Sequence, residues 1–267
     1  LNIISLNISS LPKHGGELIN FFSVLNFEFD IIVLTEIGAR NISTVETLLE
    51  NYQFHYVLPA NNPKGGVGIY FNRSINNISV LDDLSVIKSC TCHYCEYESL
   101  FVEFTFNNKL FTLGGVYRHP NSNKSHFTND LETALNKIED NRMAFLCGDI
   151  NINLLDFENH EVMNYLSSLL SNRYLPYICL PTRITPHSAT CIDHIFFRPT
   201  FQYKQFDVTS GILFCDISDH LPCFISVKIA NTRSSKERPL TRLFGDKNCN
   251  EFKERMSAHN WDELYRP

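Results

Sequence analysis

No run of apolar residues approaches the ~20 needed to cross a bilayer, so a membrane-spanning helix is not expected. Positive charge is also scarce: 23 Lys and Arg stand against 29 Asp and Glu, a formal net charge of −6 with a pI of about 5.9. Such a chain does not adhere to nucleic acid through bulk charge, and any contact of that kind needs a local basic groove. Internal repeats and low-complexity segments are missing, and no signal peptide is expected from the opening residues. The first residue is Leu1 rather than methionine, so the expectation is a fragment excised from a longer protein. The nine cysteines are odd in number, and Cys147, Cys179 and Cys223 sit inside apolar runs, where a reduced thiol behaves as a small hydrophobe. The compartment expected from this is a reducing one, cytosol or nucleus.

What is present suits one large α/β domain with a short appendage: 267 residues, 43% hydrophobic and 19% charged. "NIISLN" is a short apolar strand. "GELINFFSVLNF" has helical spacing, with Leu18, Phe21, Phe22 and Leu25 on one face. "FDIIVLTE" and "MAFLCGD" are near-continuous apolar runs, as strands buried on both faces are. "LFVEFTF" and "NKLFTLGGVYRHP" flank an Asn107-Asn108 turn and form a hairpin. Phe127, Leu131, Leu135 and Ile138 make a helical stripe with Ser125 as its N-cap, and "HEVMNYLSSLLSN" is a second amphipathic helix. "TCIDHIFFR" and "DHLPCFISVKI" supply two late strands. Strands alternating with helices favour an α/β layered fold over a bundle or an all-β barrel. The domain is expected over residues 1–230. In 231–267 a polar, basic linker, "NTRSSKERP", precedes a modest helix anchored by Phe252, Met256 and Trp261.

The informative pattern is positional. Apolar strands end at, or begin next to, residues that bind metals or move protons: Asn7, Glu36, Tyr117, Asp149 with Asn151, Asp193, and Asp219-His220. Any one of these reads as a turn or a cap. Eight such residues at six strand ends read as a site, because loops at the ends of a rigid sheet converge there. Gly148 allows the chain to turn so that Asp149 and Asn151 face one cleft. Carboxylate and carboxamide oxygens suit Mg²⁺ or Mn²⁺, and no His/Cys cage points to a catalytic zinc. An ion with Asp and His nearby is the equipment of phosphoester hydrolysis.

"SLN" (5–7), "LTE" (34–36), "GGVGIYF" (65–71), "GGVYRHP" (114–120), "CGDININ" (147–153), "IDHIFF" (192–197) and "SDHLP" (218–222) resemble, in the same order, the motifs of the endonuclease/exonuclease/phosphatase superfamily. Within it the chain looks most like the endonuclease domain of a non-LTR (LINE-type) retrotransposon polyprotein. "VYRHPN", "LPTRITPHSATCIDHIF" and the C-terminal "FKERMSAHNWDELY" carry that likeness.

The resemblance implies a DNase I-like four-layer α/β sandwich, two mixed β-sheets packed face to face and flanked by helices. It implies Glu36 as principal metal ligand, with Asn7 and Asp219 near the ion. Asp149 would activate water and Asn151 would hold the scissile phosphate. Tyr117 would bond a phosphate oxygen, and His220 would meet the phosphate as an imidazolium oriented by Asp193. The family's apurinic enzymes carry an acid two places after the first asparagine; here Ser9 stands there, which leaves abasic-site specificity without support. Thr182–Ile192 would probe double-stranded DNA as a hairpin, with Thr182, Arg183, His187 and Arg118 as contacts, and Lys124 and Arg198 as further candidates. A solvated surface loop is the competing reading of that hairpin.

The activity implied is a Mg²⁺- or Mn²⁺-dependent DNA endonuclease. It would nick one strand and leave a 3′-hydroxyl to prime reverse transcription by a fused reverse transcriptase, acting in the nucleus after cytoplasmic synthesis. The rivals are a repair endonuclease, an inositol-phosphate or nucleotide phosphatase, and an inactive DNA- or partner-binding scaffold. A phosphatase would want a Lys/Arg cluster beside the motifs, and a decayed copy would have lost one of them. "CTCHYC" packs Cys90, Cys92, His93 and Cys95 too tightly for easy tetrahedral zinc closure, and reads as a cysteine-rich loop.

Overall fold

The computed structural model describes residues 1–38, 43–58, 64–88, 97–200, 207–228 and 246–258. The "CTCHYC" loop, the linker and Trp261 lie outside the described residues. The chain divides into two compact units, Leu1–Ile229 and Ala230–Pro267. Among the described residues no helix is long and apolar enough to cross a membrane.

The first unit begins with β1 (Asn2–Asn7), α1 (Leu11–Leu25), β2 (Ile31–Thr35), α2 (Ser43–Glu46), β3 (Tyr52–Val57) and β4 (Val67–Asn72). Next come β5 (Asn76–Val80), β6 (Val86–Lys88), β7 (Tyr97–Phe106), β8 (Lys109–Arg118), α3 (Lys124–Leu135), β9 (Met143–Asp149) and α4 (His160–Ser171). It closes with β10 (Leu175–Pro176), β11 (Arg183–Thr185), β12 (Ser188–Thr190), β13 (Asp193–Arg198), β14 (Asp207–Ile212) and β15 (Cys223–Lys228). In the second unit, α5 (Asp246–Ala258) is described, with Phe252 and Met256 exposed.

Two mixed sheets result. One runs β14-β15-β1-β2-β4-β3; the other runs β10-β13-β9-β8-β7-β5, with β6 also on β7. Their inner faces share a core in which Ile3, Ile31, Val33 and Ile69 meet Leu113, Phe145, Ile195 and Phe197. The alternate residues Ile4, Ile32 and Leu34 pack outward with Leu11 and Leu18 of α1. On the far side, Leu146 and Phe196 pack against Phe127 and Leu131 of α3 and Tyr165 and Leu169 of α4. The layers are thus α/β/β/α, the DNase I-like sandwich. A strand buried on both faces cannot alternate polar and apolar, which is why "IIVLT" is continuous. Each fully buried Ile or Leu side chain there contributes roughly 1.5–3 kcal/mol.

Local devices agree with the sequence in part. Asn107 and Asn108 both take positive φ (49° and 59°), the primed turn that joins β7 to β8 at Phe106↔Lys109. The cap of α3 is Asn123, whose side chain accepts from His126 N at 2.9 Å, and not Ser125. At Gly115 a side chain would meet Val67, Ile69 and Val33 of the facing sheet, so glycine here sets how closely the sheets approach.

Strand direction explains where the polar ends gather. β1 and β2 are parallel, so Asn7 and the residue after Thr35 leave at the same edge. β8 and β9 are also parallel, which aligns Tyr117 with Asp149. β13 and β15 run the other way, with Asp193 opposite Asp149 and Cys223 opposite Ser5, so their N-terminal ends arrive at that edge.

Candidate active site

Asp149 is buried at the end of β9. Its carboxylate accepts from Asn7 Nδ2 at 2.8 Å and from the backbone N of Asn151 at 3.0 Å. Burial first, and then the charge of Asp193, push its pKa up to about 7. Asn7 Oδ1 accepts from Ser9 N at 3.0 Å, which fixes the carboxamide so that its NH₂ end points at Asp149. Gly148 has φ 139°, and an added Cβ would overlap the Val116 carbonyl oxygen, so the turn into Asp149 requires glycine.

His220 precedes β15 and is also buried. Its Nδ1 meets Asp193 Oδ2 at 2.8 Å, while Nε2 stands 4.0 Å from Asp219 Oδ1. Burial is the largest single influence and lowers its pKa. The charges of Asp193, Asp149 and Asp219, with the bond to Asp193, outweigh it and leave the value at about 9. Near neutral pH this imidazole is therefore charged. Thr182, fully buried, steadies Asp193: its Oγ1 donates to Oδ2 at 2.7 Å and accepts from Asp193 N at 3.0 Å. Ser218 Oγ donates to the Asn7 carbonyl at 2.7 Å and accepts from His220 N at 3.2 Å, tying the His220 loop to β1.

Glu36, partly buried, has φ 51°, an unusual backbone for a residue with a side chain and one that costs of order 1 kcal/mol. The loop after it is pinned to the Gly65-Gly66 turn through Gly38 N to Gly65 O at 3.0 Å and Ile37 N to Gly66 O at 3.4 Å. Tyr117 OH donates to Glu36 Oε1 at 2.9 Å. Burial, then the charge of Glu36, raise the phenol pKa well beyond its ordinary value, so it remains a donor. Among the described residues nothing bonds Glu36 Oε2.

The DNA contacts expected from the sequence separate into two kinds. Arg118 is not a surface contact: it is fully buried, with Nε on Ile150 O at 2.6 Å, NH1 on Ser122 O and Oγ at 2.6 and 2.8 Å, and NH2 on Asn151 O at 2.8 Å. Asn151 Nδ2 returns a bond to Arg118 O at 2.8 Å, so the two residues clamp each other and hold Asn151 at φ 52°. Thr182 likewise turns inward to Asp193 rather than toward a ligand. Lys124 bonds Glu161 at 2.9 Å on the helix layer, and Arg198 is buried against Tyr174 and the Glu139 carbonyl. Arg183 and His187 do stand outward on the β11–β12 hairpin, His187 in its exposed turn. Arg183 pairs with Asp219, Nε to Oδ2 at 2.7 Å.

Three groups went unnoticed in the sequence. Glu98 and His119, both buried, meet at 3.0 Å, and Glu98 Oε2 also accepts from Gly66 N at 3.3 Å. The His119 ring lies edge-on to Tyr117 with centroids 4.8 Å apart. His194, buried, bonds the Ile152 carbonyl at 3.0 Å and Tyr165 OH at 3.1 Å beneath the Asn151 loop. Glu98 was detectable as a carboxylate beside a strand core, and His119 as the neighbour of Tyr117 and Arg118; their pairing was not.

Asp149, Asp193 and His220 each bring a ligand atom within 4.8 Å of the others, so the group could hold a metal ion. Within that group His220 Nδ1 and Asp193 Oδ2 are already bonded to each other. Glu36, whose Oε2 takes no bond among the described residues, and Asp219, about half exposed and bonded to Arg183 through Oδ2, offer further hard oxygen donors. The donor set fits a hard divalent cation.

Residues 4–220 match the Endonuclease/Exonuclease/phosphatase family. No curated protein matches the sequence closely enough to serve as a relative. Among solved structures, the endonuclease domain of TRAS1, a telomere-specific non-LTR retrotransposon, superposes with TM-score 0.63 at 12% identity, covering 85% of this chain and 97% of that one. The catalytic domain of Xenopus laevis APE2 gives 0.63 at 17% identity, over 85% of this chain and 92% of its own. D. rerio TDP2 complexed with single-strand DNA product gives 0.64 at 16% identity, over 86% and 99%. At these identities the likeness is one of fold alone. The family match, however, runs from β1 to His220 and takes in every strand end that builds this cleft, and the chain belongs to the endonuclease/exonuclease/phosphatase family.

Proposed function

We propose that this protein is a metal-dependent DNA endonuclease that nicks one strand of a duplex and leaves a 3′-hydroxyl. The family is one of hydrolases, generally metal-dependent nucleases or phosphatases. The observation that carries the reading is a buried carboxylate and a buried imidazole set side by side and both tuned upward: Asp149 to a pKa of about 7 and His220 to about 9. A base matched to the working pH beside a fixed cation is what hydrolysis of a phosphodiester needs.

In this reading Asp149, aimed by Asn7, takes a proton from water as the water oxygen bonds to phosphorus. The P–O3′ bond breaks, and the 3′-oxygen takes a proton from solvent water and leaves as the hydroxyl. His220, held by Asp193, donates from Nε2 to a phosphate oxygen as negative charge develops there. Asn151, locked by Arg118, steadies another phosphate oxygen, and Tyr117 keeps Glu36 in place. A Mg²⁺ or Mn²⁺ ion held by Glu36, with Asn7 and Asp219 near it, would supply charge stabilisation for the phosphate and the departing oxygen. Arg183 and His187 would meet the duplex from the hairpin.

The finer role is a retrotransposon endonuclease in a polyprotein with a reverse transcriptase, primed by the nick and acting in the nucleus. Its support is the "VYRHPN" and "IDHIF" motifs together with the TRAS1 domain's fold. Structural likeness to a TDP2 that holds single-strand DNA product supports a DNA substrate.

The test is supercoiled plasmid with Mg²⁺, followed by extension of the product with a polymerase. Conversion to open circles carrying extendable ends supports the reading. Nicking that survives both Asp149→Ala and His220→Ala would overturn the mechanism. Phosphate release from inositol phosphates without nicking would move the protein to the phosphatase branch of the family.

A further inference from the structure

The hairpin cation expected to touch DNA and the carboxylate expected near the metal are bonded to each other. Arg183 Nε and NH2 reach Asp219 Oδ2 at 2.7 and 2.5 Å, and the side chains keep 41% and 51% of their surface exposed. The pairing is built into the backbone, because Arg183 forms a β-bridge with His220 and Leu221 N donates to Thr182 O at 2.7 Å. The hairpin and the Asp219-His220 loop are thus fastened at their bases, while the two charged ends remain at the solvent edge of the site. An exposed ion pair holds only weakly, of order 1 kcal/mol or less, so either partner exchanges readily for a stronger one.

We infer that Arg183 and Asp219 form an exchange latch that couples metal binding to DNA binding. This rests on the nuclease reading above. In the free protein the carboxylate masks the guanidinium. When Asp219 turns to a divalent cation, Arg183 is released for a backbone phosphate of the duplex, for which its forked donors are suited. A phosphate that draws Arg183 away likewise frees Asp219 for the cation, as linkage requires: each ligand raises affinity for the other by the same factor. A chain with a net charge of −6 gains from this arrangement, since its DNA-facing cation is exposed chiefly when the site is loaded.

The measurement is fluorescence anisotropy of a short labelled duplex, first without divalent metal and then with Mg²⁺ in an Asp149→Asn background that keeps the DNA intact. Without metal, Asp219→Asn should tighten binding about threefold to fivefold, the scale of an exposed pair. That gain should vanish when Arg183→Ala is also present. In Mg²⁺, Arg183→Ala should weaken binding and lower the slope of log affinity against log salt by about 0.9, one phosphate contact; without metal the slope should not change. Arg183→Lys should keep part of the salt slope and lose part of the coupling. Equal melting temperatures for all the variants confirm that they are folded. An Asp219→Asn gain that persists in the Arg183→Ala background is mere removal of a negative charge, and overturns the latch while leaving the nuclease reading standing. Failure of every form to bind duplex, with or without metal, overturns both.

Discussion

Two buried carboxylate–imidazole pairs stand among the described residues, and their difference lies in their neighbours. Asp193–His220 and Glu98–His119 have similar bond lengths, 2.8 and 3.0 Å, and all four side chains are almost wholly covered. The first pair stands beside Asp149, and the far nitrogen of its imidazole points toward Asp219 at 4.0 Å. The second packs against Tyr117, and its carboxylate spends a second oxygen on Gly66 N in the turn that pins Glu36. In the proposed mechanism the same chemical pair serves the reaction where its imidazole meets other acids in a cleft, and serves as a brace where it meets a ring and a backbone turn.

The largest effect should separate the pairs outright. His220→Ala and Asp149→Ala each remove a group that the proposed mechanism sets at the phosphate or the water, and nicking should fall about 10²- to 10⁴-fold in kcat. Plasmid nicking under saturating DNA measures it. An equal loss from His119→Ala would erase the distinction, making the second pair a reacting one.

His194 sharpens the comparison as an imidazole without a carboxylate partner among its hydrogen bonds. Burial dominates and its pKa drops to about 4, so it is neutral in the folded protein. The unfolded chain takes up this proton near pH 6.5 and the folded one resists it to about 4. The group's contribution is therefore present above 6.5 and is lost as pH falls toward 4, to the extent of about 3 kcal/mol. Asp149, raised to about 7, acts in the opposite direction over the same range, so total stability conceals the effect. The difference between wild type and His194→Gln in urea unfolding exposes it. That difference should shrink by about 3 kcal/mol from pH 6.5 to pH 4, and a constant difference would mean that His194 is not held neutral.

Much of the site was readable because each signal was local. An apolar run that stops at Asn7, Glu36 or Asp149 needs only a few neighbouring residues to be seen, and a layered α/β fold follows from runs such as "IIVLT" alternating with helical stripes; the sandwich itself is implied only by the family resemblance. Arg118 was misread for the opposite reason. Ser122, four positions on, takes only one end of its guanidinium, and the other acceptors are the carbonyls of Ile150 and Asn151, more than thirty positions away, so its burial is not legible locally. The resemblance sets Thr182 at the start of the DNA-probing hairpin, yet its hydroxyl is consumed by Asp193. Strands β3, β5 and β14 are partly exposed and carry mixed residues, so they lack the unbroken apolar pattern that marked the others.

Asp193→Asn tests why His220 is charged. Without the Asp193 charge, burial prevails more fully and the imidazolium loses its proton at lower pH. The alkaline limb of the nicking profile should therefore move down by about one unit or more, alongside the fall in rate. An alkaline limb that stays in place would assign it to another group and remove Asp193 from the pair's function.

The smallest effect belongs to the brace. Glu98→Gln keeps the size of the side chain but removes the charge opposite His119. We expect kcat to fall about tenfold, with duplex affinity unchanged, because the change reaches the reaction only through Tyr117 and Glu36. A general loss of stability would give the same number, so a second substitution is needed. In a Tyr117→Phe background the bond to Glu36 is already gone, and Glu98→Gln should then cost almost nothing further. Residues acting through one another show such non-additivity, whereas independent damage multiplies. A full tenfold loss in both backgrounds would leave Glu98–His119 a structural ion pair with no hold on the site, and the two pairs would differ in kind rather than in distance from the phosphate.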